Sequence, residues 1–142
     1  MLLRELYQEV IIDHNKNPRN FYKLDLYTHH AEGFNPLCGD RISLYFEVKN
    51  EKIENISFQG SGCAISMASS SLMTENLKGK TILEAKKIFS EVHAMLTGKE
   101  EGEAEKIGKL SVLAGVREYP ARVKCATLAW HALVSAMEHK HV

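Results

Sequence analysis

The feature that most restricts the fold of this chain is a change of hydrophobic period near residue 60. Apolar and polar residues alternate over 42–48, which is the period of a half-buried strand. A polar turn over 49–52 and a second apolar run over 53–58 complete a predicted hairpin. Beyond residue 62 the apolar residues recur at helical spacing. Strands followed by helices favour an α+β fold.

The other elements follow from local patterns. The predicted helices cover residues 2 to about 14, 63–78, 82–97, 110–116 and 121 to about 139. Thr81 and Glu84 form a predicted capping box at the start of the third helix, and Gly98 ends that helix. Residues 28–35 are a weak edge strand, and 99–106 form a charged, exposed connection. We therefore expect a small antiparallel three-stranded sheet with helices packed on one face and a long C-terminal helix.

Bulk composition limits the class of protein. The 142 residues include 44% hydrophobic and 25% charged residues, enough for a core without disulfides, so 1–142 is predicted to be a single domain. A formal net charge of zero indicates neither nucleic acid nor membrane partners. No apolar run reaches about 20 residues, and the N-terminus lacks the apolar core of a signal peptide. A cytoplasmic location with reduced thiols is the expectation.

The three cysteines lie at the ends of predicted elements rather than within apolar stripes. Cys38 precedes Asp40 by two residues in the loop that enters the first strong strand. Cys63 follows a glycine-rich turn at a helix N-terminus, and Cys125 lies in the first turn of the last helix. A helix N-terminus carries partial positive charge, which favours a thiolate. These placements predict ionisable thiols where loops converge.

Two positive charges next to the third cysteine strengthen this expectation. Arg122 and Lys124 lie within three residues of Cys125 and favour its ionised form. Thiolates gathered in one place repel each other, and a divalent cation relieves that repulsion. Three sulfurs and one carboxylate make a tetrahedral set that suits zinc and that iron also accepts. The alternative is three unrelated thiols, one or two of them buried in the core.

Three sequence motifs carry a resemblance to a known family. They are "CGD" at 38–40, "GSGCAISMASSSLM" at 60–73 and "RVKC" at 122–125. With them the chain resembles the U-type iron–sulfur cluster assembly scaffold family (IscU-like and NifU N-terminal-like) over nearly its whole length.

Within that family the chain resembles the SufU branch of the SUF system. Lys124 occupies the position where the housekeeping scaffolds usually carry a histidine, and the Leu-Pro-Pro-Val-Lys segment that recruits their chaperone is absent. An extra stretch, about 108–121, precedes the third cysteine. The resemblance implies a zinc-dependent acceptor of persulfide sulfur, and whether it is a sulfurtransferase in its own right is left open.

The resemblance also implies roles for particular residues. Cys38, Asp40, Cys63 and Cys125 would hold Zn²⁺, and the same four could hold iron or a transient [2Fe–2S] cluster. Cys38 would accept sulfur from a pyridoxal-phosphate-dependent cysteine desulfurase (SufS-like), after a histidine of that partner replaces it on zinc. Arg122 would tune the thiolate or take part in docking.

The wider roles that the family implies leave several possibilities open. The protein would be a monomer when free, and other cluster assembly proteins and apo-protein acceptors are possible partners. Two alternatives remain: a scaffold that builds a [2Fe–2S] cluster and hands it to apo-proteins, and a structural zinc interaction module.

Several further polar residues are predicted to lie outside the site. His29 and His30 are adjacent in a strand and point to opposite faces, so at most one could face the metal. Serines 69–71 lack an accompanying His/Asp pattern and are expected to pack against other helices. Helical spacing places Trp130 in the core. The remaining histidines near the C-terminus, His131, His139 and His141, are expected away from the site.

Overall fold

The computed structural model of the chain describes residues 3–98 and 104–138. The strands are β1 (His29–Asn35), β2 (Asp40–Lys49) and β3 (Lys52–Ser61). The α-helices are α1 (Leu3–Lys16), α2 (Ala64–Leu77), α3 (Ile82–Thr97) and α4 (Val123–Glu138). A 3₁₀ stretch, Ala104–Glu118, is interrupted at Gly108, and a 3₁₀ turn, Pro120–Arg122, leads into α4. The predicted α+β class is confirmed.

The sheet is antiparallel throughout, in the order β1-β2-β3. The tight turn between β2 and β3 places Asn50 and Glu51 at φ angles of 54° and 66°, the left-handed pair of a hairpin turn whose twist matches the strands. The weak edge strand proves to be regular and pairs with β2 from His29 to Asn35. Because Asn35 is paired with Asp40, the four residues between them form the turn that presents Cys38.

The core lies between one face of the sheet and the helices. Ile42, Leu44 and Phe46 alternate along β2 and are fully buried, as the sequence period predicts. Helix α2 packs between α1, α4 and the sheet, and most of its side chains are buried. Trp130 of α4 is also fully buried, which confirms its predicted place in the core.

The third helix follows its predicted end signals, whereas the predicted short helix over 110–116 lies within the longer 3₁₀ stretch Ala104–Glu118. The Thr81 side chain accepts from the Glu84 backbone N–H, and the Glu84 carboxylate accepts from the Thr81 N–H, both at 3.0 Å. Gly98 caps α3 at φ 74°. The last helix begins at Val123 rather than at residue 121, because Pro120 starts a separate 3₁₀ turn.

Parts of several expectations, among them the expected start of the first helix at residue 2, lie outside the described residues. Only 104–106 of the predicted connection over 99–106 are described, and these belong to the 3₁₀ stretch. His139 and His141 also lie outside, as does the expected end of the last helix at residue 139. Among the described helices, none combines the length and the hydropathy that crossing a bilayer requires.

Candidate metal centre

Three of the four predicted ligands meet where the β1–β2 turn faces the start of α4. One ligand atom each from Cys38, Asp40 and Cys125 lies within 4.8 Å of the others. The Cys125 thiol donates to the Cys38 sulfur at 3.2 Å. The three residues are far apart in sequence, so only the fold brings them together. The predicted convergence of loop-borne cysteines is observed for these residues.

Asp40 is a buried carboxylate with two hydrogen-bond donors. Its side chain is fully buried at the first position of β2. Oδ1 accepts from the Cys63 backbone N–H at 2.8 Å, and Oδ2 accepts from Asn35 Nδ2 at 3.4 Å. Among the residues that the structure describes, no lysine, arginine or histidine forms an ion pair with it. Since a buried ionised carboxylate is costly without a compensating charge, its position favours a bound cation.

Cys63 lies at a helix N-terminus, as predicted. It is the N-cap of α2, and its sulfur accepts from the Ser66 backbone N–H at 3.4 Å. Its thiol does not belong to the three-residue cluster, although it contacts the Cys125 thiol. The fourth ligand position therefore stays a prediction for Cys63, with the sulfur close to the site and currently used as a helix cap.

Glycine at position 62 allows the end of β3 to approach Asp40. A Cβ at this position would lie 2.5 Å from Asp40 Oδ1 and 3.1 Å from the Asp40 Cα. Real Cβ atoms do not approach other atoms so closely, so a larger residue would displace the carboxylate or the strand. Gly39, in the turn beside Cys38, has φ 71°, a left-handed conformation that glycine adopts without steric cost.

Burial determines the pKa of the Cys125 thiol. Burial, followed by hydrogen bonds to Cys38, Asp40 and Cys63, raises the pKa of the buried Cys125 thiol well above its usual range. The sequence predicted a lowered pKa for Cys125, because this residue lies at a helix N-terminus beside two positive charges. Desolvation outweighs both effects here, because it penalises the charged thiolate. Burial therefore disfavours the thiolate of Cys125 in the metal-free chain, and a bound cation would favour it.

Arg122 lies against the accessible thiol. Its Nη1 donates to the Cys38 sulfur at 3.4 Å. A hydrogen bond to Cys125 and the nearby charge of Cys38 raise the pKa of the Arg122 guanidinium, which therefore stays charged. A positive charge is thus in direct contact with the Cys38 sulfur. The arrangement is the one expected for the predicted role of Arg122, which nevertheless stays a prediction.

The site opens to solvent on the side of Cys38. This thiol is half-buried and lies in an open depression of about 700 Å³. The depression is lined by Leu37, Cys38, Pro120, Ala121, Arg122 and Lys124. Asp40 and Cys125 lie beneath it and are buried. A reactant entering from solvent would meet Cys38 first.

The histidines of β1 lie far from the centre. His29 and His30 stack on Phe46 and Tyr45 at ring-centroid distances of 4.7 and 4.9 Å. They precede Asn35 by six and five residues along β1, and six residues span about 20 Å of strand. His131 contacts Phe89 and His93 rather than the cysteines.

One serine of α2 has a histidine partner that sequence reasoning missed. The Ser71 hydroxyl lies 2.7 Å from His14 Nδ1, and it accepts from the Arg19 backbone N–H at 2.8 Å. Both side chains are fully buried, so the pair ties α1 to α2 and is not an accessible nucleophile. Serines 69 and 70 donate to helix carbonyls, as expected for packing residues. The pair is fifty-seven residues apart in sequence, and no local signal marks it.

Asn35 was also missed. Its side-chain amide lies within hydrogen-bond reach of both Asp40 and Cys125. The signal that could have found it is its position, five residues before Asp40 across a turn of a predicted hairpin, where paired strand ends face each other.

The similarity of this chain to known proteins identifies its family. The model of the NifU-like N-terminal domain matches residues 6–126, which is most of the chain. The chain belongs to the NifU-like N-terminal domain family. The family membership predicted from the three motifs is confirmed.

Members of the NifU-like family that resemble this chain have named roles. It is 46% identical to the zinc-dependent sulfurtransferase SufU of Bacillus subtilis, over 92% of this chain and 88% of the relative. It is 42% identical to the iron–sulfur cluster assembly scaffold protein IscU of Streptococcus pyogenes, over 96% and 85%.

A solved structure shows the same fold. A candidate SUF-system scaffold protein from Fervidobacterium islandicum AW-1 superposes with a TM-score of 0.87 at 37% identity, covering 94% of this chain and 98% of that one.

The residues of this NifU-like chain fit a zinc ion. Two thiols and a carboxylate are the soft and hard donors that zinc combines in tetrahedral sites. Sulfurs at about 2.3 Å from a tetrahedral ion lie roughly 3.8 Å apart. The Cys38 and Cys125 sulfurs lie 3.2 Å apart and would have to separate slightly. Asp40 supplies the buried negative charge. A cation at this point would therefore need only small side-chain adjustments.

Proposed function

We propose that this protein acts in iron–sulfur cluster assembly as an acceptor of persulfide sulfur, with Cys38 as the accepting residue. The whole chain, 1–142, would act as one domain, with a pyridoxal-phosphate-dependent cysteine desulfurase as its partner. The observation that carries the proposal is the division of the cluster into an accessible thiol, Cys38, and a buried pair, Asp40 and Cys125.

The metal set of the proposal is Cys38, Asp40, Cys125 and Cys63. When bound, zinc would supply the positive charge that keeps coordinating thiols ionised. Cys63 would join by releasing its contact with the Ser66 N–H, which is a weak one because sulfur is a poor acceptor. The family relationship to a protein named as a zinc-dependent sulfurtransferase supports zinc over other metals.

The transfer step is an ordinary thiol exchange carried by the residues of this chain. The Cys38 thiolate, beside the charged Arg122, attacks the outer sulfur of the persulfide on the desulfurase. A new sulfur–sulfur bond forms on Cys38, the bond to the desulfurase cysteine breaks, and that cysteine leaves as a thiolate. No net oxidation occurs, so no further reactant is needed. The position of Cys38 on a turn lets it move without disturbing the sheet.

Cluster scaffolding is a second candidate function. Three thiols and a carboxylate could also hold a [2Fe–2S] cluster. A similar protein named as an iron–sulfur cluster assembly scaffold supports this possibility. Zinc in stoichiometric amount in the protein as isolated would favour sulfur transfer. A red-brown protein with thiolate-to-iron absorption would favour the scaffold.

A purely structural zinc site is less compatible with the geometry. Structural sites are closed sets of four cysteine or histidine ligands. Here one ligand is a carboxylate and another, Cys38, lies in an open depression. A ligand with a purely structural role does not require access to solvent.

The test is the variant Cys38→Ala. We expect it to remain folded, because Cys38 lies in a half-buried turn, and to lose all stimulation of the cysteine desulfurase and all label from ³⁵S-cysteine. Asn55→Ala is the matched control, since Asn55 lies in β3 at the far end of the sheet and contacts Glu47. Stimulation and labelling of Cys38→Ala at the level of the control would overturn the proposed function.

A further inference from the structure

The amide of Asn35 occupies a bridging position beneath the accessible thiol. Asn35 is the last residue of β1, buried to 6% exposure, and it is paired with Asp40 across the sheet. Its Nδ2 lies 3.4 Å from Asp40 Oδ2 and 3.6 Å from the Cys125 sulfur. One residue thus contacts the two buried members of the cluster.

The orientation of this amide is determined by its other end. Oδ1 of Asn35 accepts from the Leu37 backbone N–H at 3.3 Å, within the turn that carries Cys38. A flipped amide would direct its oxygen at a carboxylate and a sulfur and its NH₂ at a backbone donor, which would be repulsive on every side. The two N–H groups of Nδ2 are therefore directed at two acceptors. Such bonds strengthen when the acceptors are ionised, as metal ligands are.

Among the described residues, the side-chain hydrogen bonds of Asn35 reach Asp40, Cys125 and Leu37 rather than Cys38. The accessible thiol contacts the exposed Arg122 side chain and the Cys125 sulfur, and it lies on a half-buried turn. The cluster thus has a fixed part, Asp40 and Cys125, and an exchangeable part, Cys38. A sulfur acceptor needs this division, since its thiol must leave the metal without releasing the metal.

We propose that Asn35 is a positioning residue that holds Asp40 and Cys125 as a fixed pair of ligands, so that the metal stays bound when Cys38 leaves it. The inference rests on the proposed function for the exchange of Cys38. The retention of metal by Asp40 and Cys125 is measurable without any desulfurase.

The first experiment measures zinc affinity of the full chain by competition with a chromophoric chelator. Asn35→Ala removes both donors, and Asn35→Asp keeps the size and the acceptor for the Leu37 N–H while replacing the donors by a repelling carboxylate. Removing hydrogen bonds to metal ligands weakens binding by about 10–100-fold, and we expect that range for Asn35→Ala. Asn55→Ala, which removes another amide-to-carboxylate contact, should bind as the wild type does. A change below about threefold in both Asn35 variants overturns the proposal.

The second experiment separates positioning from a general loss of structure. On a Cys38→Ala background, Asn35→Ala should weaken zinc binding by the same factor as in the wild type, because Asn35 acts through other ligands. On an Asp40→Ala background that factor should become much smaller. The opposite pattern, a factor that vanishes without Cys38 and persists without Asp40, overturns the proposal.

A spectroscopic readout completes the test. In the Co²⁺-substituted protein, Asn35→Asp should shift the sulfur-to-cobalt and d–d absorption bands, whereas Asn55→Ala should leave them unchanged. Unshifted bands in Asn35→Asp overturn the inference. Failure here is distinguishable from failure of the proposed function, because no desulfurase is present. Sulfur transfer by Cys38→Ala would refute the acceptor role and leave the zinc result of the Asn35 variants as measured.

Discussion

Replacement of Gly62 by alanine tests how closely the end of β3 approaches the metal centre. The added Cβ would lie 2.5 Å from Asp40 Oδ1 and 3.1 Å from the Asp40 Cα and Cβ. To reach an ordinary contact the carboxylate or the strand must move by roughly an ångström. Gly62 does not have the left-handed backbone that penalises alanine, so the effect is steric.

The magnitude follows from two costs. Overpacking of this kind destabilises by about 1–3 kcal/mol. The displacement also weakens the hydrogen bond from the Cys63 N–H to Asp40, and a bond to a charged group is worth about 1.5–3 kcal/mol. Because the two costs share one movement, we expect about 2–4 kcal/mol in total, or a fall of roughly 5–15 °C in Tm for a chain of this size.

The assay is thermal unfolding combined with zinc competition. Gly62→Ala should lower Tm and also weaken zinc binding by about tenfold, since Asp40 moves. Ser61→Ala, at the exposed neighbouring position, is the matched control and should change neither quantity. A Gly62→Ala protein with wild-type Tm and wild-type zinc affinity would refute the close approach of β3 to Asp40.

Two further predictions concern a buried thiol and a buried hydroxyl. Burial raises the pKa of Cys125 in the folded, metal-free chain above the usual thiol pKa of about 8.5. The protonated thiol therefore contributes its full stability below about pH 8.5, and this contribution is lost as the pH rises toward the folded-state pKa. Urea unfolding of the metal-free protein should thus show falling stability above about pH 8.5, with a smaller fall in Cys125→Ser; equal falls in both would contradict the assignment. Ser71→Ala should destabilise the chain by about 2 kcal/mol, because it removes the hydroxyl that bonds the Arg19 N–H and His14 Nδ1. Ser90→Ala, at an exposed position of α3, should have no measurable effect in the same unfolding assay. An unchanged unfolding midpoint for Ser71→Ala would show that this bridge between α1 and α2 contributes nothing.

Local sequence signals predicted most elements of the fold, and the errors have a physical cause. The alternation over 42–48 places Ile42, Leu44 and Phe46 on one face, and all three are fully buried. The capping box at Thr81 is also local, since its partners are three residues apart. The start of the last helix was misplaced by two residues, because a proline permits both a helix and a 3₁₀ turn at its own position.

The candidate site was predicted less completely than the fold. The motifs singled out three cysteines, and two of them, Cys38 and Cys125, meet Asp40. The direction of the pKa shift at Cys125 was wrong, because burial is a property of packing and cannot be read from neighbouring charges in the chain. The use of the Cys63 sulfur as a helix cap was equally invisible, since cap and ligand positions at a helix N-terminus coincide.

The sequence by itself determined which residues could bind a metal, in what order the strands and helices follow, and to which family the chain belongs. These depend on periodicity, capping and short motifs, all of which act over a few residues. Only the tertiary structure decided that Asp40 and Cys125 are buried while Cys38 stays accessible, and that Asn35 bridges the buried pair. Burial and contact across ninety residues result from how the sheet, the turn and α4 pack, and no local pattern encodes that packing.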